Sequence, residues 1–315
     1  MSVTSDLKPI NFSTSAAVYH WRPAAWLGVT GADAESFLQG QFTNDLRGLA
    51  GRDGAVYGLW LDVKGKVLAD SFILHGGGEG TDAKFWIGSY FSPAAVIRAR
   101  LESHIIADDV VIEDATDQWA AISLLGAGAP GLVKERCHLL SDIFPKVTFA
   151  GRRAVGEQAE WIFPRTAIEA VRKQTAGWPE LDAVEMTRRR IAARIPAVPA
   201  DLGPGDLPNE GGLEAEAVSY TKGCYLGQEV MARLKSMGQV RRRLLRVKGV
   251  AAEPPARPAS LFLGGRRVGE LRSAAAGEEG GFTGLAMLSL LHLAPAAGLA
   301  LAADAAPTVQ IVDKP

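Results

Sequence analysis

The pattern of apolar and polar positions changes character along the chain. Trp26-Leu27-Gly28-Val29 is a short apolar run that predicts a strand, and Thr30-Gly31-Ala32-Asp33 supplies a turn and a cap for a helix carrying Phe37 and Leu38. From Val56 to Val111 strands dominate. Val56-Tyr57-Gly58-Leu59-Trp60-Leu61 and the run Val67 to Leu74 flank Asp62-Val63-Lys64-Gly65-Lys66, and a Lys-Gly pair between two such runs predicts a hairpin. A glycine-rich tip at 76–80 returns the chain to Phe85-Trp86-Ile87. Pro93 opens a helix carrying Val96, Ile97 and Leu101, and 105–112 predicts a further strand. Trp119 to Leu125, then Pro130 to Leu140, repeat strand-then-helix, and Trp161-Ile162-Phe163 is another strand followed by a helix. The clearest helical period runs from Leu181 to Ile195, with Leu181, Val184, Ile191 and Ile195 on one face and Pro196 as its stop. Pro199 to Gly212 forms a long irregular loop of the kind that binds ligands. Beyond Arg243 short strands alternate with Gly and Pro turns, which predicts a small β domain. Strands with helices inserted between them, without strict βαβ alternation, predict an α+β architecture with antiparallel sheets.

Length and charge narrow the picture. The 315 residues suffice for roughly two or three domains with their own cores. Lysine and arginine total 34 against 35 acidic residues, so no global field favours nucleic acid, an anionic membrane or an acidic partner. The two cysteines, Cys137 and Cys224, exclude a disulfide-dense scaffold and fit a reducing compartment. Residues 1–11 lack the basic end and apolar core of a secretion signal. The apolar stretch 285–303 is interrupted by Ser289, His292, Pro295 and Gly298, so no membrane span is expected there and a cytoplasmic location is.

Candidate chemistry concentrates at Lys222-Gly223-Cys224-Tyr225-Leu226-Gly227-Gln228-Glu229. Gly223 and Gly227 allow backbone conformations closed to other residues, and Gln228 begins a helix-like run. A thiol near a helix N-terminus and beside Lys222 should hold more of its thiolate at neutral pH. The reading leaves open a nucleophile, a metal or cluster ligand, or a redox sensor. Cys137, between Arg136 and His138 on a helical stretch, is expected to be structural. With no Cys-x-x-Cys, no His-x-x-x-His and none of the five histidines near Cys224, no metal site is expected. No Gly-x-Ser-x-Gly elbow is present, and Gly76-Gly77-Gly78 links strands rather than cradling a dinucleotide. Two basic clusters, Arg188-Arg189-Arg190 with Arg194, and Arg233, Lys235 and Arg241-Arg242-Arg243, fit either solvated faces or a site for a polyglutamate tail, phosphate or RNA backbone. Aromatic residues among them are too few for a single-strand nucleic-acid platform.

The run Lys222 to Glu229 resembles the K-G-C-[FY]-x-G-Q-E signature of the YgfZ family of folate-binding proteins, which belongs to the superfamily of the glycine-cleavage T-protein, an aminomethyltransferase. Val29 to Asp33 with Phe37 to Asp45 resembles the family's N-terminal motif, and Asp62 to Asp70 its glycine-lysine hairpin. Ile195-Pro196, Leu207-Pro208-Asn209-Glu210 and Gly284-Leu285-Ala286 agree as well. The resemblance implies a three-lobed α+β fold around a central channel: a folate-binding lobe from 1–50 and 152–240, a second lobe from 51–151, both with antiparallel sheets, and a C-terminal β-barrel domain from 241–315. It also implies tetrahydrofolate or a derivative as cofactor, and a role in assembling or maintaining iron–sulfur proteins, including tRNA-modifying enzymes. Those proteins or their assembly factors would be transient partners, with no direct nucleic acid and no membrane. Cys224, Lys222 and Asp70 are then the expected chemical residues, with Gly223, Tyr225, Gly227, Gln228 and Glu229 shaping the motif. Folate is expected near Glu185, Gln41, Thr43, Asn44, Asp45 and Trp26. Glu185 falls where the T-protein's Leu-Glu-Ala-Gly segment places a pterin-binding glutamate, and a carboxylate suits the two parallel N–H groups of an aminopyrimidine. The alternative for Glu185 is an ion pair with Arg188 or Arg189. Trp21 and Trp178 join Trp26 as stacking candidates. One departure stands out: the T-protein's Gly-Gly-x-x-Asp-Asp hairpin here reads Gly65-Lys66-Val67-Leu68-Ala69-Asp70, with only the second acid kept. That points away from aminomethyl transfer, which stays as the alternative function with Asp70 as its acid or base.

Overall fold

The structure, a computed structural model, describes residues 16–49, 54–78, 84–139, 147–251, 253–277, 280–291, 293 and 298–313. The expectations for residues 1–11, for the end of the glycine-rich tip at 79–80, for Leu140 and for His292 and Pro295 lie outside the described residues. The chain starts with β1 (Ala17–Trp21), β2 (Ala25–Thr30) and α1 (Ala34–Gln41). It continues through β3 (Ala55–Leu61), β4 (Val67–His75), β5 (Phe85–Ser89), α2 (Ala94–Glu102) and β6 (Val111–Asp114). Next come β7 (Trp119–Leu125), α3 (Ala129–Leu139), β8 (Val147–Ala150), β9 (Gln158–Pro164) and α4 (Ile168–Gln174). Two further helices, α5 (Ala183–Ala192) and α6 (Gln228–Met237), lead into β10 (Arg242–Gly249), β11 (Ala259–Leu263), β12 (Arg266–Ala276), β13 (Phe282–Ser289), β14 (Gly298–Leu299) and β15 (Val309–Ile311).

These strands build three sheets, antiparallel throughout their strand pairs. One has the order β3-β4-β5-β2-β6, a second β1-β7-β9-β8, and the third β11-β12-β13-β10-β15-β14. In the third sheet Phe262 on β11 exchanges backbone hydrogen bonds of 2.9 and 2.8 Å with Ala300 just past β14, which brings the two edges together into a nearly closed barrel and hides them from edge-to-edge pairing. The expected hairpin is present. Asp62 Oδ1 accepts from the backbone N–H groups of Lys64 and Lys66, both at 2.8 Å, and Gly65 takes φ +70°, so the Asx side chain and the glycine close the β3–β4 turn.

The sheets meet through aromatic packing. Trp26 on β2 stacks on Trp86 of β5 at 5.4 Å and tilts against Trp119 of β7 at 5.7 Å. A tryptophan buried on both faces contributes its full apolar area to the junction between the first two sheets.

The helix 181–195 differs from expectation in length and in face. It spans Ala183–Ala192, capped by Asp182, whose carboxylate accepts from the Glu185 N–H. Arg194 takes φ +57° just past it, so Ile195 already lies outside the helix, as suits a residue preceding proline. The inward residues are Met186, Arg190 and Ile191, whereas Val184 is 49 % exposed. The face turns because α5 packs on β12 and β13 and Arg190 is neutralised there. Its guanidinium bonds Asp201, the Ile195 carbonyl and Ser273 Oγ of β12, the last two at 2.8 and 2.7 Å. The irregular loop 199–212 is pinned in the same way: Asp206 and Glu210 take Arg242, and Asp206 also takes Arg272.

Candidate functional site

Cys224 is exposed, and the residues around it explain how it is held there. Tyr225 turns its ring into the largest core cluster, and its carbonyl accepts from the Gln228 N–H at 3.2 Å, closing a turn onto α6. Gly227 sits in that turn at φ +86°, and a Cβ there would come 2.9 Å from the Asp62 carbonyl oxygen. A Cβ on Gly65 would likewise come 2.9 Å from Val230 of α6. The two glycines therefore let the thiol motif and the β3–β4 turn approach backbone to backbone. Glu229 pairs along the helix with Arg233 at 3.2 Å.

Lys222 is buried and points under the motif. Its Nζ donates to the carbonyls of Gln39, Phe42 and Asn44 at 2.6, 2.7 and 2.9 Å, which uses its three N–H groups at the C-terminal end of α1. Burial pulls its pKa down from 10.5 to about 8, against the opposing charge of Asp45.

The N-terminal motif meets this assembly from below. Thr43 Oγ1 donates to the Ala217 carbonyl at 2.6 Å and accepts from the Leu59 N–H at 2.8 Å. Asn44 Nδ2 donates to the carbonyls of Tyr57 and Glu216 at 2.8 and 3.0 Å. Gln41 Oε1 accepts from Arg100 Nη1 at 3.0 Å, and Asp45 forms an ion pair with Arg47 that holds its carboxyl well below the usual range. Thr43 and Asn44 thus tie β3 to the segment before Cys224, whereas Gln41 is held by Arg100 of α2 and Asp45 by Arg47 and Gln39. Trp26 is 1 % exposed and belongs to the core.

Asp70 lies at the centre of a closed knot. It is 4 % exposed and accepts from Tyr57 OH at 3.0 Å, Ser89 Oγ at 2.9 Å and Ser92 Oγ at 2.6 Å. Burial raises its pKa, against these hydrogen bonds. Above Tyr57, the guanidinium of Arg152 sits 4.3 Å from the ring and pairs with Glu216 at 2.6 Å.

A second polar centre was not anticipated from the sequence. Arg153 is buried against the rings of Tyr90 at 3.8 Å and Trp21 at 4.2 Å, with Phe91 at 5.8 Å. Beneath it Glu160, fully buried, accepts from Ser123 Oγ at 2.6 Å and Tyr90 OH at 2.7 Å. Arg153 Nε forms an ion pair with Glu160 Oε1 at 3.6 Å, and the Trp21 indole also serves this carboxylate. Phe91 is 38 % exposed and also lies 5.7 Å from Arg190 of α5, so this corner joins both α+β sheets to α5 and reaches solvent. Glu160, a carboxylate entering the apolar run Trp161-Ile162-Phe163, was the one signal in the sequence that could have found it. Glu185 lies in the first turn of α5 and pairs with Arg188 at 2.5 Å and Arg189 at 2.7 Å. Trp178 packs at the rim of another core cluster. Among the described residues no group of three or more His, Cys, Asp and Glu side chains could hold a metal ion, and no helix is long and apolar enough to cross a membrane.

An exposed thiol on a fixed turn can bond a soft metal, attack an electrophile or exchange with a disulfide. Comparison with known proteins adds a lineage. The GCVT N-terminal domain family matches residues 11–159, and the CAF17 C-terminal beta-barrel domain family matches 241–313. The tRNA-modifying protein YgfZ of Edwardsiella ictaluri is 30% identical over 249 residues, 75% of this chain and 71% of the relative. The protein of the same name from Colwellia psychrerythraea is 24% identical over 235 residues, 72% of this chain and 70% of the relative. Among solved structures, aminomethyltransferase T of the glycine cleavage system from Bartonella henselae superposes with a TM-score of 0.73 at 14% identity, covering 94% of this chain and 84% of that one. The fold is therefore that of the T-protein, with its α+β part and its barrel in the same chain.

Proposed function

The chain belongs to the YgfZ family, and from that premise we propose that it is a tetrahydrofolate-binding accessory factor for the assembly or maintenance of iron–sulfur proteins, among them enzymes that modify tRNA. Cys224 is its functional thiol. The observation that carries the proposal is the setting of that sulfur: exposed, yet on a turn anchored through Lys222 and Gly227 on either side. A thiol with only a packing role is normally buried, as Cys137 is at 3 % exposure.

The residues around Phe91 fit a folate. A flat pterin or benzoyl ring needs an aromatic wall, which Phe91 and Trp21 supply beside the Arg153 guanidinium. When bound, tetrahydrofolate supplies a carrier for one-carbon units. Asp70 faces inward with its oxygens already bonded, so it receives no role as acid or base and the aminomethyl-transfer alternative gains no support.

Calorimetric titration with tetrahydrofolate tests the ligand. The parent should bind, and Phe91→Ala should weaken binding about tenfold, the loss of one aromatic contact. An unchanged affinity would remove the Phe91 corner from the site, and a parent that does not bind would end the folate reading. Failure of a Cys224→Ala chain to support iron–sulfur enzymes is the direct test of the thiol.

A further inference from the structure

Three stretches far apart in the sequence meet beneath Cys224, and the function proposed above uses only the thiol itself. On the N-terminal side of the sulfur, Lys222 drives its ammonium into the carbonyls of Gln39, Phe42 and Asn44. On its C-terminal side, Gly227 lies against the Asp62 carbonyl and the Gly65 backbone of the β3–β4 turn. The two supports are themselves joined. Arg100 on α2, 7 % exposed, donates from Nε to the Leu61 carbonyl at 3.1 Å, at the entry to the turn, and from Nη1 to Gln41 Oε1 at 3.0 Å, at the end of α1. Between the two anchors Gly223 and Cys224 are exposed, and a Cβ on Gly223 would meet nothing within 4 Å.

We infer that Lys222 is a positioning residue for Cys224, clamping the thiol loop to the C-terminal end of α1, and that Arg100 ties this clamp to the turn under Gly227. The inference rests on Cys224 being the functional thiol. It replaces an electrostatic role for Lys222. An ammonium activating a thiolate would aim at least one N–H toward it, whereas all three N–H groups of Lys222 go to backbone carbonyls beneath the loop. A family motif that reads as one reactive stretch is, on this geometry, a thiol with its own mount, and the motifs around Gln41 and Gly65 are the surfaces it is mounted on.

Lys222→Met, Lys222→Arg and Arg100→Gln separate the two roles, read by amide hydrogen exchange over residues 221–227 and by the pH dependence of Cys224 alkylation with iodoacetamide, followed by mass spectrometry of its peptide. Positioning requires exchange in that segment to rise about tenfold in Lys222→Met and in Arg100→Gln, a local opening made easier, with the alkylation midpoint where the parent has it. Lys222→Arg should behave like Lys222→Met, because a planar guanidinium cannot place its donors on three carbonyls converging on one point. Unchanged exchange, with a midpoint raised by about one unit in Lys222→Met and restored in Lys222→Arg, would overturn the inference in favour of electrostatic activation. Should Lys222→Met fail to fold, Arg100→Gln decides alone, and parent-like exchange in that variant overturns the clamp. Neither readout depends on biological activity, so a Cys224→Ala chain that remains functional would sink the proposed function while leaving the clamp to be judged separately.

Discussion

The loop around Cys224 and the knot around Asp70 are neighbours with opposite construction. Both come from stretches where chemistry is expected, and they are linked through Tyr57, whose hydroxyl bonds Asp70 and whose carbonyl takes Asn44. At Asp70 the side chain is saturated: three hydroxyls, from Tyr57, Ser89 and Ser92, converge on a carboxylate shut off from solvent. Ser92 Oγ also lies 3.0 Å from the Val198 carbonyl, so the knot meets the loop after α5. At Cys224 the saturation is in the flanks, through the Lys222 ammonium and the Gly227 backbone, and the side chain is left outward. The contrast separates two uses of polar residues in one region. Bonds that close on the side chain itself make a scaffold, and bonds that close on its neighbours make a presented group.

That comparison can be broken by mutation, beginning where the largest effect is expected. Asp70→Ala leaves three buried hydroxyls without their acceptor and opens a small cavity, so chemical denaturation should report a loss of about 3 kcal/mol. A loss within the noise would mean that the knot is not structural. Asp70→Asn keeps the shape and one acceptor but sets an amide donor against hydroxyl donors, and about 1–2 kcal/mol should be lost. Cys224→Ala should change stability by less than about 0.5 kcal/mol, as an exposed residue does. The smallest expected effect is a pH dependence at Lys222. Its folded pKa, about 8, lies below the 10.5 of a free lysine, so between those values the unfolded chain binds the proton more tightly. The contribution of Lys222 to stability therefore grows as pH rises through that window. The melting-temperature gap between the parent and Lys222→Met should widen from pH 8 to pH 10, and a gap that narrows would contradict the assigned shift.

Local pattern and long-range contact divide what the sequence makes legible. The β3–β4 hairpin, the β character of the chain after Arg243 and the exposure of Cys224 are written in local chemistry: an Asx-glycine turn, closely spaced Gly and Pro, and glycines around a thiol. The inward face of α5 is not. Spacing puts Val184 inside and the arginines outside, but Arg190 is drawn in by Asp201 and by Ser273 of β12, one beyond the helix and one in another sheet. Lys222 shows the same limit at shorter range. It is two residues from Cys224 in the chain, yet its side chain serves α1, about 180 residues earlier, and no rule of adjacency reports that. The Arg153 corner gathers Trp21, the adjacent Tyr90 and Phe91, and Arg190 from three stretches far from Arg153, so only the fold assembles it.

The central claim is that Cys224 acts through its sulfur and not through the fold. Its most direct test measures the activity of an iron–sulfur enzyme in cells lacking their own copy of this protein, supplied with either the parent or Cys224→Ala at equal abundance. The account expects the parent to restore that activity and Cys224→Ala to leave it at the deficient level while melting with the parent. Full restoration by Cys224→Ala would contradict it.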